Sequence, residues 1–223
     1  MTRLIDPSLE QLSSIMSEMG ELSLQSFVLA MDSYIYGKDT VNQVRDISHE
    51  ISKKYFQVSD LTFDILLKYQ PVADDFRLIR SSIEISYGFS RFGRYAYDIT
   101  QVRDTFGDIT ECDKSWLVEA SNKVKIMIKD SVTYFAELDI RKAITMQQNE
   151  EFVDKIYKQR LPMLINSQNT KCALAEALVL RYLERIADHA LFMSDAINYI
   201  VTGKHKLTKQ FIMKEMPDDS NAS

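Results

Sequence analysis

Residues that form turns are scarce in this chain. Six glycines and four prolines among 223 residues argue against a sheet protein and favour a small number of long helices. The chain has two cysteines and no CxxC motif, which excludes a zinc ribbon or a disulfide framework. We therefore expect Cys112 and Cys172 to be free thiols in a reducing compartment.

Long apolar runs are also missing. No stretch of about 18 apolar residues occurs, so we expect no membrane-spanning helix, and "MTRLIDPSLE" lacks the apolar core of a signal peptide. With 27 basic and 32 acidic residues, the net charge of -5 argues against a nucleic-acid partner. We expect a cytoplasmic protein that reaches a membrane only through a partner.

Apolar residues recur three and four positions apart along six segments, which predicts six helices with a loop near 107–113. Capping residues are expected at three helix starts: Asp6, Asp39, and either Asn169 or Thr170. The fourth helix is expected to follow Asp113. Helix ends are expected at Gly37, Gly107 and Gly203, and at Pro71, which stops or kinks the second helix. Pro162 predicts a kink in the fifth helix.

The two halves of the chain resemble each other. The segment "SRFGRYA" (90–96) lines up with "ERIADHA" (184–190), and Asp39 lines up with Asp139. Such self-similarity indicates duplication of a three-helix unit. The predicted fold is all-α, with two tandem three-helix bundles at residues 8–107 and 113–203 and a tail at 204–223.

Paired carboxylates are the most distinctive side chains of the second half. Glu184 and Asp188 are four residues apart on one helical face, and Glu150 and Asp154 repeat this spacing in the preceding helix. Two such carboxylates repel each other unless a cation joins them. The residues alone leave two readings open, a metal site or a solvated acidic face. In the second reading the acids pair with Arg181, Arg185 and Lys155.

Histidine does not complete a metal site in this pattern. His189 lies about 140° from Glu184 around a helix, so we expect it to pack against other residues and not to bind metal. The sequence contains no HExxH or ExxH, no nucleophile–base pair and no Gly-rich phosphate loop. We therefore expect no enzymatic activity.

Four segments together resemble the PhoU family of phosphate-uptake regulators. "RYLERIADHALFMSDAINYIVTGK" (181–204) resembles the end of its second repeat, and "KYQPVADDFRLI" (68–79) resembles its junction between second and third helices. "MSEMGELS" (16–23) and "EEFVDKIYKQRL" (150–161) resemble segments of its first and fifth helices. The matches occur in the family's order across residues 8–203.

The resemblance implies a regulator of phosphate transport. Family members are not enzymes. They restrain phosphate uptake and phosphate-responsive signalling through contact with a transporter subunit or a signalling protein, and they often form homodimers. The alternatives from other classes are a metal-storing or redox-active helical bundle and a metal-free helical scaffold.

The resemblance also implies a metal site. The family's E/DxxxD carboxylates correspond here to Glu150, Asp154, Glu184 and Asp188, which would hold an iron, zinc or magnesium ion. The corresponding first-half positions are Ser90, Arg94, Val41 and Arg45. Because arginine opposes a cation by charge, we expect no metal in the first half. Ala187 and Phe192 also depart from the family pattern.

Overall fold

A computed structural model of the chain describes residues 3–138 and 142–204, all of its regular structure being helical. Six helices follow one another: α1 (Asp6–Tyr36), α2 (Val41–Tyr69), α3 (Ala73–Phe106), α4 (Ser115–Glu137), α5 (Lys142–Ile165) and α6 (Thr170–Thr202). The all-α prediction is confirmed. Residues 139–141, with the predicted break at Asp139, and the tail from 205 onward lie outside the described residues.

Glycine and proline mark the helix ends as the sequence predicts. Gly37 and Gly203 follow α1 and α6 in the left-handed conformation, with φ of 73° and 67°. Pro71 separates α2 from α3, and both Gln70 and Ala73 beside it have positive φ. Pro162 lies inside α5, where the predicted kink stays a prediction.

The predicted caps are only partly right. The Asn169 side chain accepts a hydrogen bond from the Cys172 backbone N–H at 3.0 Å and caps α6. Asp6 is not the N-cap of α1, because the helix begins after Ile5 and the Asp6 carboxylate binds Arg3. Asp39 lies one residue before the observed N-cap position of α2, which is Thr40. The fourth helix follows Asp113 as expected, since α4 begins at Ser115.

The helices pack as two three-helix bundles joined along two contacts. Helices α1–α3 contact one another, α4–α6 do the same, and the bundles meet through α3 with α6 and α1 with α4. Glycine permits both close approaches. A Cβ at Gly88 would lie 2.2 Å from Met193 Sδ, and a Cβ at Gly20 would lie 2.6 Å from a Val132 methyl group.

A disulfide corrects one prediction from the sequence. Cys112, in the loop between the bundles, is bonded to Cys172 in the first turn of α6, and their Cα atoms lie 5.5 Å apart. The free-thiol prediction is therefore wrong, because two cysteines suffice for one bridge when packing places them together. A disulfide is typical of oxidising compartments, and the cytoplasmic location stays a prediction.

Candidate functional site

The four predicted carboxylates lie on the two neighbouring helices α5 and α6. Glu150 and Glu184 are almost fully buried, with 2% and 7% of their surface exposed. The side chains of Asp154 and Asp188 are 21% and 26% exposed. Each helix thus carries one buried glutamate and one half-buried aspartate, one turn apart.

Acids of α5 and α6 influence the same charged groups. Burial first, and then the neighbouring charges of Asp188 and Asp154, raise the pKa of Glu184 above its ordinary value. The pKa of Lys158 is raised mainly by its hydrogen bond to Asp154, with smaller contributions from Glu150 and Glu184. The packing of α5 on α6 therefore places Asp154 of one helix near enough to Glu184 of the other for its charge to act on it.

Basic side chains supply positive charge to these carboxylates. Arg181 Nη1 donates to Glu184 Oε2 at 2.7 Å, and Arg185 lies 3.9 Å from Asp188 and 4.0 Å from Glu184. Lys158 Nζ donates to Asp154 at 2.7 Å, in the place expected for Lys155. Arginine and lysine thus donate hydrogen bonds to two of the four carboxylates, and Arg185 lies near Asp188.

The contacts of these side chains favour ion pairs over a bound metal ion. Among residues 3–138 and 142–204, no three His, Cys, Asp or Glu side chains are grouped so that they could hold one. Burying several charges together costs free energy because each loses its hydration. The Arg181 guanidinium also donates a hydrogen bond to Glu184 Oε2, an oxygen that a metal ion would need as a ligand. Metal binding at Glu150, Asp154, Glu184 and Asp188 stays a prediction.

The equivalent positions of the first bundle carry ion pairs of their own. Arg94 contacts Asp98 at 3.1 Å along α3, and Arg45 contacts Asp46 at 3.1 Å on α2. The substitutions that break the family pattern thus pair with neighbouring acids. The expectation that this half binds no metal stays a prediction.

A row of aromatic rings at the α3–α6 contact was not predicted from the sequence. His189 lies 5.8 Å from the Tyr87 ring and 5.9 Å from the Tyr95 ring, and Tyr95 stacks on Tyr182 at 6.1 Å. The expectation that His189 packs is confirmed. The alignment of the repeats, which matches Tyr95 with His189, was the available signal.

The environment of His189 disfavours its charged form. Burial is the main cause, and the positive charges of Arg91 and Arg185 add to it, lowering the pKa of His189 to about 4. The ring is therefore neutral at pH 7. Both arginines act on this one ring, although they belong to different bundles.

These features define a duplicated three-helix-bundle protein whose charged cluster lies between helices of its second bundle. A family model described as "PhoU domain" matches residues 16–102 and 117–197. The chain belongs to the PhoU family. None of the helices in the described part of the chain is long and apolar enough to cross a membrane.

Similar proteins match along most of this chain. It is 27% identical over 216 residues to a PhoU homologue of Clostridium acetobutylicum, a match that covers 92% of this chain and 97% of the relative. A PhoU homologue of Synechocystis is 24% identical, with 90% and 92% coverage. The crystal structure of PhoU from Pseudomonas aeruginosa superposes with a TM-score of 0.82 at 26% identity, covering 90% of this chain and 100% of that one.

Proposed function

We propose that this chain regulates phosphate uptake by contact with a phosphate-transporter subunit or a phosphate-signalling protein, and that it is not an enzyme. The main support is the agreement with PhoU proteins over both bundles and nearly the full length of each chain. The relatives from Clostridium acetobutylicum and Synechocystis are named phosphate-specific transport system accessory proteins. An accessory protein acts through its surface.

Helix α2 offers an apolar surface for such a contact. Phe56, Phe63 and Leu67 are 63%, 57% and 79% exposed. Their spacings of seven and four residues place them on one face of the helix. Exposed aromatic and aliphatic side chains that share a face are typical of protein–protein interfaces. We therefore place the partner contact on this face of α2.

The proposal is tested by deleting the gene in the organism that encodes the chain and complementing the deletion with the wild-type or a variant chain. Deletion should change phosphate uptake and the expression of phosphate-responsive genes, and the wild-type chain should restore both. The Phe56→Ser/Phe63→Ser variant should fail to restore them, whereas Ile126→Ser, at a position 44% exposed on α4, should succeed. Unchanged uptake and expression in the deletion strain would contradict the proposal.

The alternative is that the same face of α2 joins two copies of the chain in a homodimer. Sedimentation equilibrium of the purified wild type and of the Phe56→Ser/Phe63→Ser variant separates the two uses. A dimer that the two substitutions convert to monomers would assign the face to self-association. An unchanged oligomeric state would leave it to the partner.

A further inference from the structure

The contact between α3 and α6 brings equivalent residues of the two repeats together. Arg91 and Tyr95 in α3 correspond to Arg185 and His189 in α6 when "SRFGRYA" is aligned with "ERIADHA". Each arginine lies one turn before its ring on the same helical face. The Tyr95 and His189 rings are 5.9 Å apart, and Arg91 Cζ lies 4.6 Å from the centre of the Tyr95 ring. The positive charges of Arg91 and Arg185 both lower the pKa of His189, so one guanidinium from each repeat acts at this contact.

Arg91 is half-buried without an acidic partner. Its Nη2 donates to the Tyr95 hydroxyl at 2.8 Å, and its Cζ lies 4.6 Å from the centre of that ring. Its Nε is buried and has no hydrogen-bond partner among the described residues. Buried charges are ordinarily paired with an opposite charge, so an unpaired guanidinium here favours binding of an anion.

Arg185 is held only loosely by the acids of its own helix. Its side chain is 44% exposed, and its contacts with Asp188 and Glu184, at 3.9 and 4.0 Å, are longer than hydrogen bonds. Glu184 instead accepts a hydrogen bond from Arg181 at 2.7 Å. The guanidinium of Arg185 is therefore able to donate to a further acceptor.

Asp98, the α3 acid whose charge acts on Arg91, is also engaged. Asp98 contacts Arg94 at 3.1 Å, and it acts on Arg91 only as a more distant charge. On the rim of the same contact, Tyr87 is 44% exposed and carries a hydroxyl that can donate a hydrogen bond. Two arginines and a phenol thus surround the junction.

We propose that Arg91 and Arg185 form a binding site for inorganic phosphate at the junction of the two bundles, with Tyr87 at its rim. A planar guanidinium matches two oxygens of a tetrahedral oxyanion at once, which a lysine cannot do. The choice of phosphate over other oxyanions rests on the proposed function. Because one arginine comes from each bundle, a bound phosphate would bridge α3 and α6. The contact between the two bundles, and through it the helix α2 that faces the partner, would then respond to the phosphate concentration.

Isothermal titration with inorganic phosphate at low ionic strength tests this site. The full chain should bind about one phosphate, and Arg91→Gln and Arg185→Gln should each weaken binding about tenfold or more, the effect of losing one charge-assisted hydrogen bond. Arg91→Lys keeps the charge without the two-pronged geometry and should be intermediate. Arg45→Gln on α2, which removes an exposed arginine paired with Asp46, is the matched control and should bind like wild type.

Three results would overturn the site. The first is the absence of saturable phosphate binding by wild type, and the second is equal binding by wild type and both glutamine variants when all three show cooperative thermal unfolding. Chloride that competes as well as sulfate would show mere charge screening and would also overturn it. Failure here leaves the proposed function standing, since partner contact through α2 needs no ligand. Unchanged uptake in the deletion strain would remove the proposed function without affecting measured phosphate binding.

Discussion

The Cys112–Cys172 disulfide ties the loop between the two bundles to the start of α6 across 60 residues of sequence. A cross-link stabilises a protein mainly by restricting its unfolded chain, and bridges of this kind contribute about 2–4 kcal/mol. Reduction, or Cys112→Ser/Cys172→Ser, should lower the Tm by about 5–15 °C. Differential scanning calorimetry with and without reductant measures the shift.

The serine variant is the control for reduction. Reductant should lower the Tm of wild type to that of Cys112→Ser/Cys172→Ser and should leave the variant unchanged. If reductant shifts both proteins equally, or shifts neither, the disulfide does not stabilise the fold.

A buried ion pair between α5 and α6 gives a second prediction. Arg160 Nε donates to Glu176 at 2.5 Å and Nη2 donates to the other carboxylate oxygen at 3.1 Å, with only 19% and 6% of the two side chains exposed. Arg160→Met leaves the Glu176 charge buried and unpaired, which should cost about 3–5 kcal/mol of unfolding free energy. Urea denaturation measures this loss.

Two further variants test whether the loss of stability in Arg160→Met comes from the unpaired charge of Glu176. Lys158→Met removes a cation whose side chain is 71% exposed and should cost less than about 1 kcal/mol. Adding Glu176→Gln to Arg160→Met removes the stranded charge and should recover part of the stability. A double variant less stable than Arg160→Met would disprove the unpaired-charge explanation.

Acid should destabilise the fold through His189. The folded pKa of about 4 lies below the unfolded value of 6.5, so below pH 6.5 the unfolded chain binds a proton that the folded chain does not. Stability from the neutral ring is thus complete above pH 6.5 and is lost as the pH falls through 4. The loss should approach about 3 kcal/mol.

The measurement is the free energy of unfolding of wild type and His189→Phe between pH 4 and 7. The carboxylates titrate in both proteins, so their contribution cancels in the difference. His189→Phe should lose less stability on acidification, whereas His49→Gln, at an exposed position on α2, should follow wild type. Parallel curves for wild type and His189→Phe would refute the assignment.

Metal analysis tests whether a metal ion neutralises the acidic cluster of α5 and α6, which consists of Glu150, Asp154, Glu184 and Asp188. Because Arg181 and Lys158 already donate hydrogen bonds to its carboxylates, we expect protein purified without a nickel column to contain well below one ion per chain. Elemental mass spectrometry of wild type and of Glu184→Gln/Asp188→Asn should then give equal, low values. One or more iron, zinc or magnesium ions per wild-type chain, lost in the variant, would establish the metal site implied by the family resemblance.

Local features of the fold could be predicted well from the sequence. Gly37, Pro71 and Gly203 bound helices because their backbone preferences act within one or two residues. The caps at Asp6 and Asp39 were misplaced, although each lies within two residues of a helix start. The observed N-caps, Ile5 and Thr40, make no side-chain capping hydrogen bond, so the backbone conformation and not a capping side chain sets these two helix starts.

The candidate site was only half predictable. A spacing of four residues was enough to select Glu184 with Asp188 and Glu150 with Asp154, since such pairs share a helical face. Which cation meets them was open, because Arg181, Arg185 and a metal all suit the pattern. The packing of α6 against α5 buries Glu184 beside Arg181, a contact that the spacing alone does not reveal, and metal binding stays a prediction.

The sequence by itself determined the six helices, their grouping into two repeats and the family, because periodicity, turn residues and motif order are properties of neighbouring residues. Only the tertiary structure decided which distant side chains meet: Cys112 with Cys172, Arg160 with Glu176, and Tyr95 with His189. Those pairings depend on how helices rotate and approach one another, with Gly88 allowing α3 to lie close to α6. Packing of whole helices sets that geometry, and no short stretch of sequence contains it.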